Sequence, residues 1–181
     1  MDPFQGVPGL PDTAARANAV YCSHGHFDHN HTQNVTLTEG GEDPFAVTEV
    51  PSFHDGQGGT LRGPNTIRRF AAEGLSVVHL GDLGCQLTAE QVRALRPCDA
   101  LLVPVGGFYT IDAQGAKAVA EALSPRVIVP MHYRTEAFGL REIDTVEPFL
   151  ALFSKELARR YDANRLELTA DTPAQVAVLS V

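Results

Sequence analysis

Four of the chain's seven histidines and one aspartate stand within nine residues, Ser23-His24-Gly25-His26-Phe27-Asp28-His29-Asn30-His31. Imidazole and carboxylate without thiolate suit zinc, manganese, iron or nickel, whereas calcium and magnesium prefer more oxygen. The preceding Ala19-Val20-Tyr21-Cys22 reads as a strand ending at Ser23. His24 and His26 then leave it in extended chain, where residues two apart point to one side and both imidazoles can reach one ion. Asp28 and His29, adjacent and past an expected bend, suit a second ion beside the first. A solvated histidine-rich loop is the competing reading, and the density of the cluster favours metal. His31 lies just beyond and is expected to be exposed and not a ligand.

Several elements must position these groups. Residues 75–80, 100–105 and 126–130 have the length and β-branched content of buried strands. Between them, Thr88-Ala89-Glu90-Gln91 reads as a capping box opening a helix to Leu95, and Asp112 caps an alanine-rich helix to Leu123 that Ser124-Pro125 stops. Strand, helix, strand, helix, strand implies parallel neighbours and an α/β class. Residues 45–53 and 66–70 are further strand candidates around a glycine-rich loop at 56–63, and Glu73-Gly74 reads as a hairpin turn. Val146, Phe149, Leu150, Phe153 and Leu157, behind Asp144, predict an amphipathic helix. Residues 166–168 and 176–179, around Asp171-Thr172-Pro173, predict a terminal hairpin. Loops after the three buried strands carry Asp82, Tyr109 and His132, and loops at carboxyl ends of such strands build sites.

A chain of 181 residues fits a single domain over 1–181. With 44% hydrophobic and 20% charged residues the composition is that of a globular protein. A net charge of -8 without a Lys/Arg cluster argues against a nucleic-acid partner, which needs a basic surface. No apolar run approaches the roughly 20 residues of a membrane helix, and the N-terminus lacks signal-peptide features, so a cytoplasmic protein without membrane contact is expected. Cys22, Cys85 and Cys98 show no CxxC spacing and read as buried thiols.

His24-x-His26-x-Asp28-His29 resembles the HxHxDH signature of metallo-β-lactamase-fold hydrolases, and His54, Asp82 and His132 follow in that family's order. Gly81-Asp82-Leu83-Gly84, Pro104-Val105-Gly106-Gly107-Phe108-Tyr109-Thr110 and Pro130-Met131-His132-Tyr133-Arg134 resemble the branch that includes ascorbate-6-phosphate lactonase. The resemblance runs from about Asp2 to the C-terminus. It implies a four-layer αββα fold and two divalent ions, zinc by base rate, with manganese, iron or nickel as alternatives. His24, His26 and His54 would hold the first ion; Asp28, His29 and His132 would hold the second; Asp82 would bridge them. A hydroxide formed between the ions would cleave a lactone, ester or phosphoester in a small anionic metabolite, with Asp28 and Asp82 as the catalytic carboxylates. A phosphodiesterase, or a metal-binding module with little catalysis, is the alternative. Family members usually place two or three strands before an aspartate-proline, whereas Asp2-Pro3 here follows Met1 at once. The expectation is that those strands are missing, and either that a second subunit covers the open sheet edge or that the chain is a shortened gene product.

Other polar residues fall near the same rim. Arg62, Asn65, Tyr109 and Arg134 are candidate substrate contacts, the arginines through forked bonds to an anion and Tyr109 as a donor. Asp55 reads either as a partner that orients a metal histidine or as a solvated loop carboxylate, and His79 reads as a core histidine or a partner behind the ligands. The 56–63 loop lacks the Gly-Lys-Ser/Thr ending of a phosphate loop, and its glycines suit turns or mobility.

Overall fold

The computed structural model describes residues 1–38, 40 and 44–180. Two short strands, β1 (Ala15–Ala17) and β2 (Val35–Leu37), pair in parallel. Seven more form one mixed sheet: β3 (Ala46–Phe53), β4 (Pro64–Ala72), β5 (Leu75–His79), β6 (Ala100–Pro104), β7 (Val127–Met131), β8 (Ala158–Arg160) and β9 (Gln175–Val178), in the spatial order β3-β4-β5-β6-β7-β9-β8. Among the described residues the second sheet of the expected four layers is represented by the β1–β2 pair. The α/β class and the parallel β5-β6-β7 core are as the sequence pattern implies.

Strand direction sets the rim. Two antiparallel pairings in succession, β3 with β4 and β4 with β5, turn β3 back to the direction of β5, and β6 and β7 run parallel to β5. β3, β5, β6 and β7 therefore all end on one edge. The β4–β5 turn is tight because Glu73 and Gly74 take φ of 52° and 77°, the left-handed pair that matches strand twist. Pro51 is accommodated in β3 because that strand is at the sheet edge.

Helix α1 (Ala89–Leu95) opens on the full Thr88–Gln91 capping box. Helix α2 (Ala113–Leu123) is capped by Asp112 and ends where Ser124 turns left-handed at φ 55°. Their apolar faces and Phe149 bury Val78, Leu101, Val103 and Ile128 on one side of the sheet. Each such fully buried side chain contributes roughly 1.5–3 kcal/mol. Ala100, Val127 and Ala177 face the other way, beneath Leu166 and Leu168.

Three expected elements differ. The predicted 19–22 strand is absent because its backbone is tied individually rather than in a ladder. Tyr21 O accepts from Asp2 N, the Cys22 carbonyl from Arg68 Nη1 at 2.6 Å, and the Ser23 carbonyl from Thr66 N. The long helix from 146 shrinks to α3 (Glu147–Leu150), after which bonds tighten to Leu152 N–Phe149 O and Phe153 N–Leu150 O. Leu157 is lost to the sheet, where its carbonyl accepts from Val176 N. The terminal hairpin does not form: the Thr169–Thr172 turn exists, but β9 pairs in parallel with β7 and β8, while Leu166 and Leu168 pack outside the ladder.

The loop after β5 approaches the end of β3 closely. A Cβ on Gly84 would stand 2.3 Å from the His54 carbonyl carbon and the Asp55 nitrogen. Gly84→Ala should therefore lower stability by about 1–3 kcal/mol, as overpacking against backbone does, read as a lower urea midpoint at unchanged m-value.

Candidate metal centre

Three ligand candidates stand just past strands that end at the common rim. His54 follows Phe53 of β3, Asp82 comes three residues after His79 of β5, and His132 follows Met131 of β7. The histidine-rich loop reaches the same edge because Ser23 is strapped to Thr66 at the start of β4, and Arg68 holds Cys22 from below while paired with Glu49 at 2.8 Å.

One carboxylate oxygen organises the centre. Asp82 Oδ2 lies 3.3 Å from His54 Nε2, 3.3 Å from His132 Nε2, 3.4 Å from His29 Nε2 and 3.9 Å from His24 Nε2. On one side His24, His26 and His54 bring ring nitrogens within 4.8 Å of one another. On the other, His29 Nε2 is also 4.0 Å from Asp28 Oδ2, and the His29 and His132 rings stack at 6.4 Å. His31 stays outside, and the expectation that it is exposed is corrected: it is buried, its backbone N–H bonded to the Pro3 carbonyl.

The cluster is held from behind. Asp2 accepts from Ser23 N at 2.6 Å through one oxygen and faces His29 Nδ1 at 3.5 Å through the other. Ser23 Oγ lies 2.9 Å from His24 Nδ1, which leaves Nε2 facing Asp82. Asn65 accepts from Asp82 N and donates to Ser52 Oγ and the Leu80 carbonyl. Its amide is fully buried, so this expected substrate contact instead positions Asp82. Asp2 and His132 take left-handed φ of 45° and 53°, a strain that such fixed neighbours sustain.

Charge follows geometry. Burial works against ionisation of Asp82, but His132, His29 and His54 around it hold its carboxyl well below the usual carboxylate range. Burial pushes the His24 imidazole down to about 4 and lowers His54 as well. Burial opposes charging of His29 too, yet its hydrogen bond to Asp2 and the charges of Asp82, Asp2 and Asp28 raise it. Buried neutral imidazoles around an ionised carboxylate are what a divalent cation requires of its ligands.

The sequence profile of the beta-lactamase superfamily domain matches residues 1–132. The chain belongs to this superfamily of metal-dependent hydrolases. A UPF0173 metal-dependent hydrolase of Archaeoglobus fulgidus is 29% identical over 183 aligned positions, covering 80% of this chain and 78% of its own. Another, from Thermococcus onnurineus, is 32% identical over 95 positions, 51% of this chain and 42% of its own. A crystal structure of a metallo-β-lactamase superfamily protein from Thermotoga maritima superposes with a TM-score of 0.75 at 35% identity, covering 98% of this chain and 87% of that one.

The donors of this superfamily member fit a divalent metal. They are imidazoles and carboxylates, with His54 and Asp82 buried, His24, Asp28, His29 and His132 half-buried and His26 exposed, and His24 Nε2 faces the centre with no hydrogen-bond partner among the described residues. The remaining candidates divide. Arg62 lies over the Tyr109 ring at 5.5 Å and acts electrostatically on His54, so both stand on the His54 side of the centre. Arg134 is spent on the Ile143 carbonyl at 2.8 Å and lines a separate cavity. Asp55 does not orient a histidine; it accepts from the N–H groups of Gln57, Gly59, Leu61 and Arg62 and so folds the glycine-rich loop into a fixed form. His79 accepts from Gly81 N and is pushed down to about 4 by burial. Asp2 and Ser23 were not singled out from the sequence, although an aspartate-proline and a serine directly before the histidine cluster are visible there.

Replacing Asp2 by Ala removes the carboxylate behind His29 and should weaken zinc binding about 10–100-fold in chelator competition, as loss of such partners does; unchanged affinity would show that Asp2 holds only backbone. A second expectation concerns the metal-free protein. His24 and His79 sit at about 4 against an ordinary 6.5, so the unfolded state takes up protons first as pH falls through 6.5. His29, raised, works the other way. Two strongly lowered groups and a lowered His54 outweigh it. Metal-free protein should lose on the order of a few kcal/mol between pH 7 and pH 4, measured as a falling urea midpoint.

Proposed function

We propose that this metal-dependent hydrolase cleaves a lactone or carboxylic ester, with His24, His26 and His54 holding one divalent ion, Asp28, His29 and His132 the other, and Asp82 between them. The observation that carries this reading is the single Asp82 oxygen at 3.3–3.9 Å from imidazole nitrogens belonging to both ligand groups. Two ions held there would polarise the scissile carbonyl and acidify a water to ionise near neutral pH. The protein's own part is positional: Asn65 and Asp2 fix Asp82 and His29, and Asp28, partly open to solvent, is placed to accept a proton. Zinc is the proposed metal, in keeping with a Thermotoga maritima relative named for zinc dependence, and manganese, iron or nickel suit the same donors. The three free cysteines fit a reducing, cytoplasmic setting.

Phosphodiester hydrolysis is the second reading. The Arg62 guanidinium near His54 supports it, because it offers a fixed cation to a phosphate oxygen.

Zinc-loaded protein should contain two ions per chain and turn over members of a panel of lactones, p-nitrophenyl esters and bis(p-nitrophenyl) phosphate. Chelation should abolish turnover and zinc should restore it. Asp82→Ala should lower kcat/KM more than about a hundredfold, beyond the loss typical of outer partners, with circular dichroism unchanged. Two bound ions without turnover of any substrate would instead make the chain a metal-binding module.

A further inference from the structure

A cavity of about 460 Å³ opens beside the second-ion ligands, within the roughly 300–1,000 Å³ usual for small-molecule sites. Asp28, His29, Asp82 and His132 contribute to its wall. Most of the remaining wall is hydrocarbon. Phe4, Val7 and Leu10 come from the N-terminal loop, and Phe138, Leu140 and Ile143 from the chain after β7.

The two loops are clasped. Gly139 N donates to the Pro8 carbonyl at 2.9 Å. Gly9, at φ 81°, lies so near the Ala137 carbonyl that a Cβ would stand 1.9 Å from its oxygen. Phe138 is in turn backed by Tyr133, ring to ring at 6.2 Å. Phe27, 63% exposed, also lines the cavity and lies against Gly6.

Among the described residues that line this cavity there is no Lys or Arg, and the carboxylates are those of Asp2, Asp28 and Asp82. Arg62 is at Tyr109, and Arg134 lines an adjoining cavity that shares Phe138 and Gly139 with this one. A phosphate or carboxylate seated among these hydrocarbon walls would be desolvated with no lysine or arginine side chain to meet it. An apolar group would gain by leaving water.

We propose that the non-reacting part of the substrate is an uncharged, apolar acyl or alkyl body held in this cavity, with the ester or lactone carbonyl at its His29–Asp82–His132 end. The proposal rests on the hydrolase reading and names its substrate class. In the reaction a water oxygen joins the acyl carbon, the acyl C–O bond breaks, and the departing alkoxide takes a proton, giving an acid and an alcohol.

The test uses zinc-loaded full-length protein with p-nitrophenyl butyrate, hexanoate and octanoate, and with matched esters bearing a terminal carboxylate. In parallel, fluorescence follows binding of the neutral dye N-phenyl-1-naphthylamine and its displacement by 1-octanol or glucose 6-phosphate. The gain expected from burying each methylene is about three- to fourfold in kcat/KM, and octanol, not the sugar phosphate, should displace the dye. Leu140→Arg, with zinc content confirmed at two ions, should flatten the chain-length slope. A flat slope in the parent protein, a preference for the charged esters, or failure of the dye to bind overturns the proposal. Saturable dye binding reversed by octanol, with no ester turned over, removes the hydrolase reading alone and leaves the apolar ligand site standing.

Discussion

A carboxylate enclosed by four imidazoles is the constraint on which the rest of this structure depends. Asp82 is buried, and so are the side chains of His24 and His54 beside it. Without a cation, such a cluster is costly: charged imidazoles lose hydration, neutral ones leave the carboxylate without full compensation. A divalent metal held among these ligands would resolve both difficulties at once, which would link metal binding to folding. The same need explains the support behind the ligands. Asn65 fixes the Asp82 backbone, Asp2 turns His29, Ser23 meets His24, and strained backbone at Asp2 and His132 is tolerated because these contacts leave no alternative.

Sheet topology is what allows ligands 108 residues apart in sequence, His24 and His132, to meet. Were β4 not inserted antiparallel on both sides, β3 would end on the opposite edge and His54 would be lost to the site. The three parallel strands then deliver Asp82, Tyr109 and His132 by the ordinary rule that such strands present their carboxyl ends together. Arg68 completes the assembly from the interior of β4, gripping Glu49, the Cys22 carbonyl and the Tyr21 ring.

What could be read in advance was local. Capping residues, β-branched runs and the Glu73-Gly74 turn gave α1, α2 and the β4–β5 hairpin because each depends on neighbours in sequence. The clustered histidines, with His54, Asp82 and His132 behind strands, indicated which side chains would converge. The misreadings came from long-range competition. Residues 19–22 lose a ladder to Arg68 and Asp2, and Leu157 keeps helical spacing but its carbonyl accepts from Val176 N in the sheet. Asn65 and Asp55 showed the right residue types near the rim, yet their hydrogen bonds are spent on Asp82 and on the 56–63 loop. Nothing in their spacing distinguishes an amide that holds a ligand from one that holds a substrate.

The two flanks of the metal centre differ in chemistry, and the difference lies in loops. On the His54 side, four N–H bonds hold the Asp55 carboxyl down at about 2 against its burial, fixing the loop that carries Arg62. On the His29 and His132 side, the clasp between Pro8 and Gly139 keeps an apolar cavity open. Neither loop set supplies a candidate ligand beyond those on the rim, so bond chemistry and substrate choice are separable here. The sheet edge determines where water can be activated. The loops determine what part of a molecule can rest beside it, and a change of loop alters the second without disturbing the first.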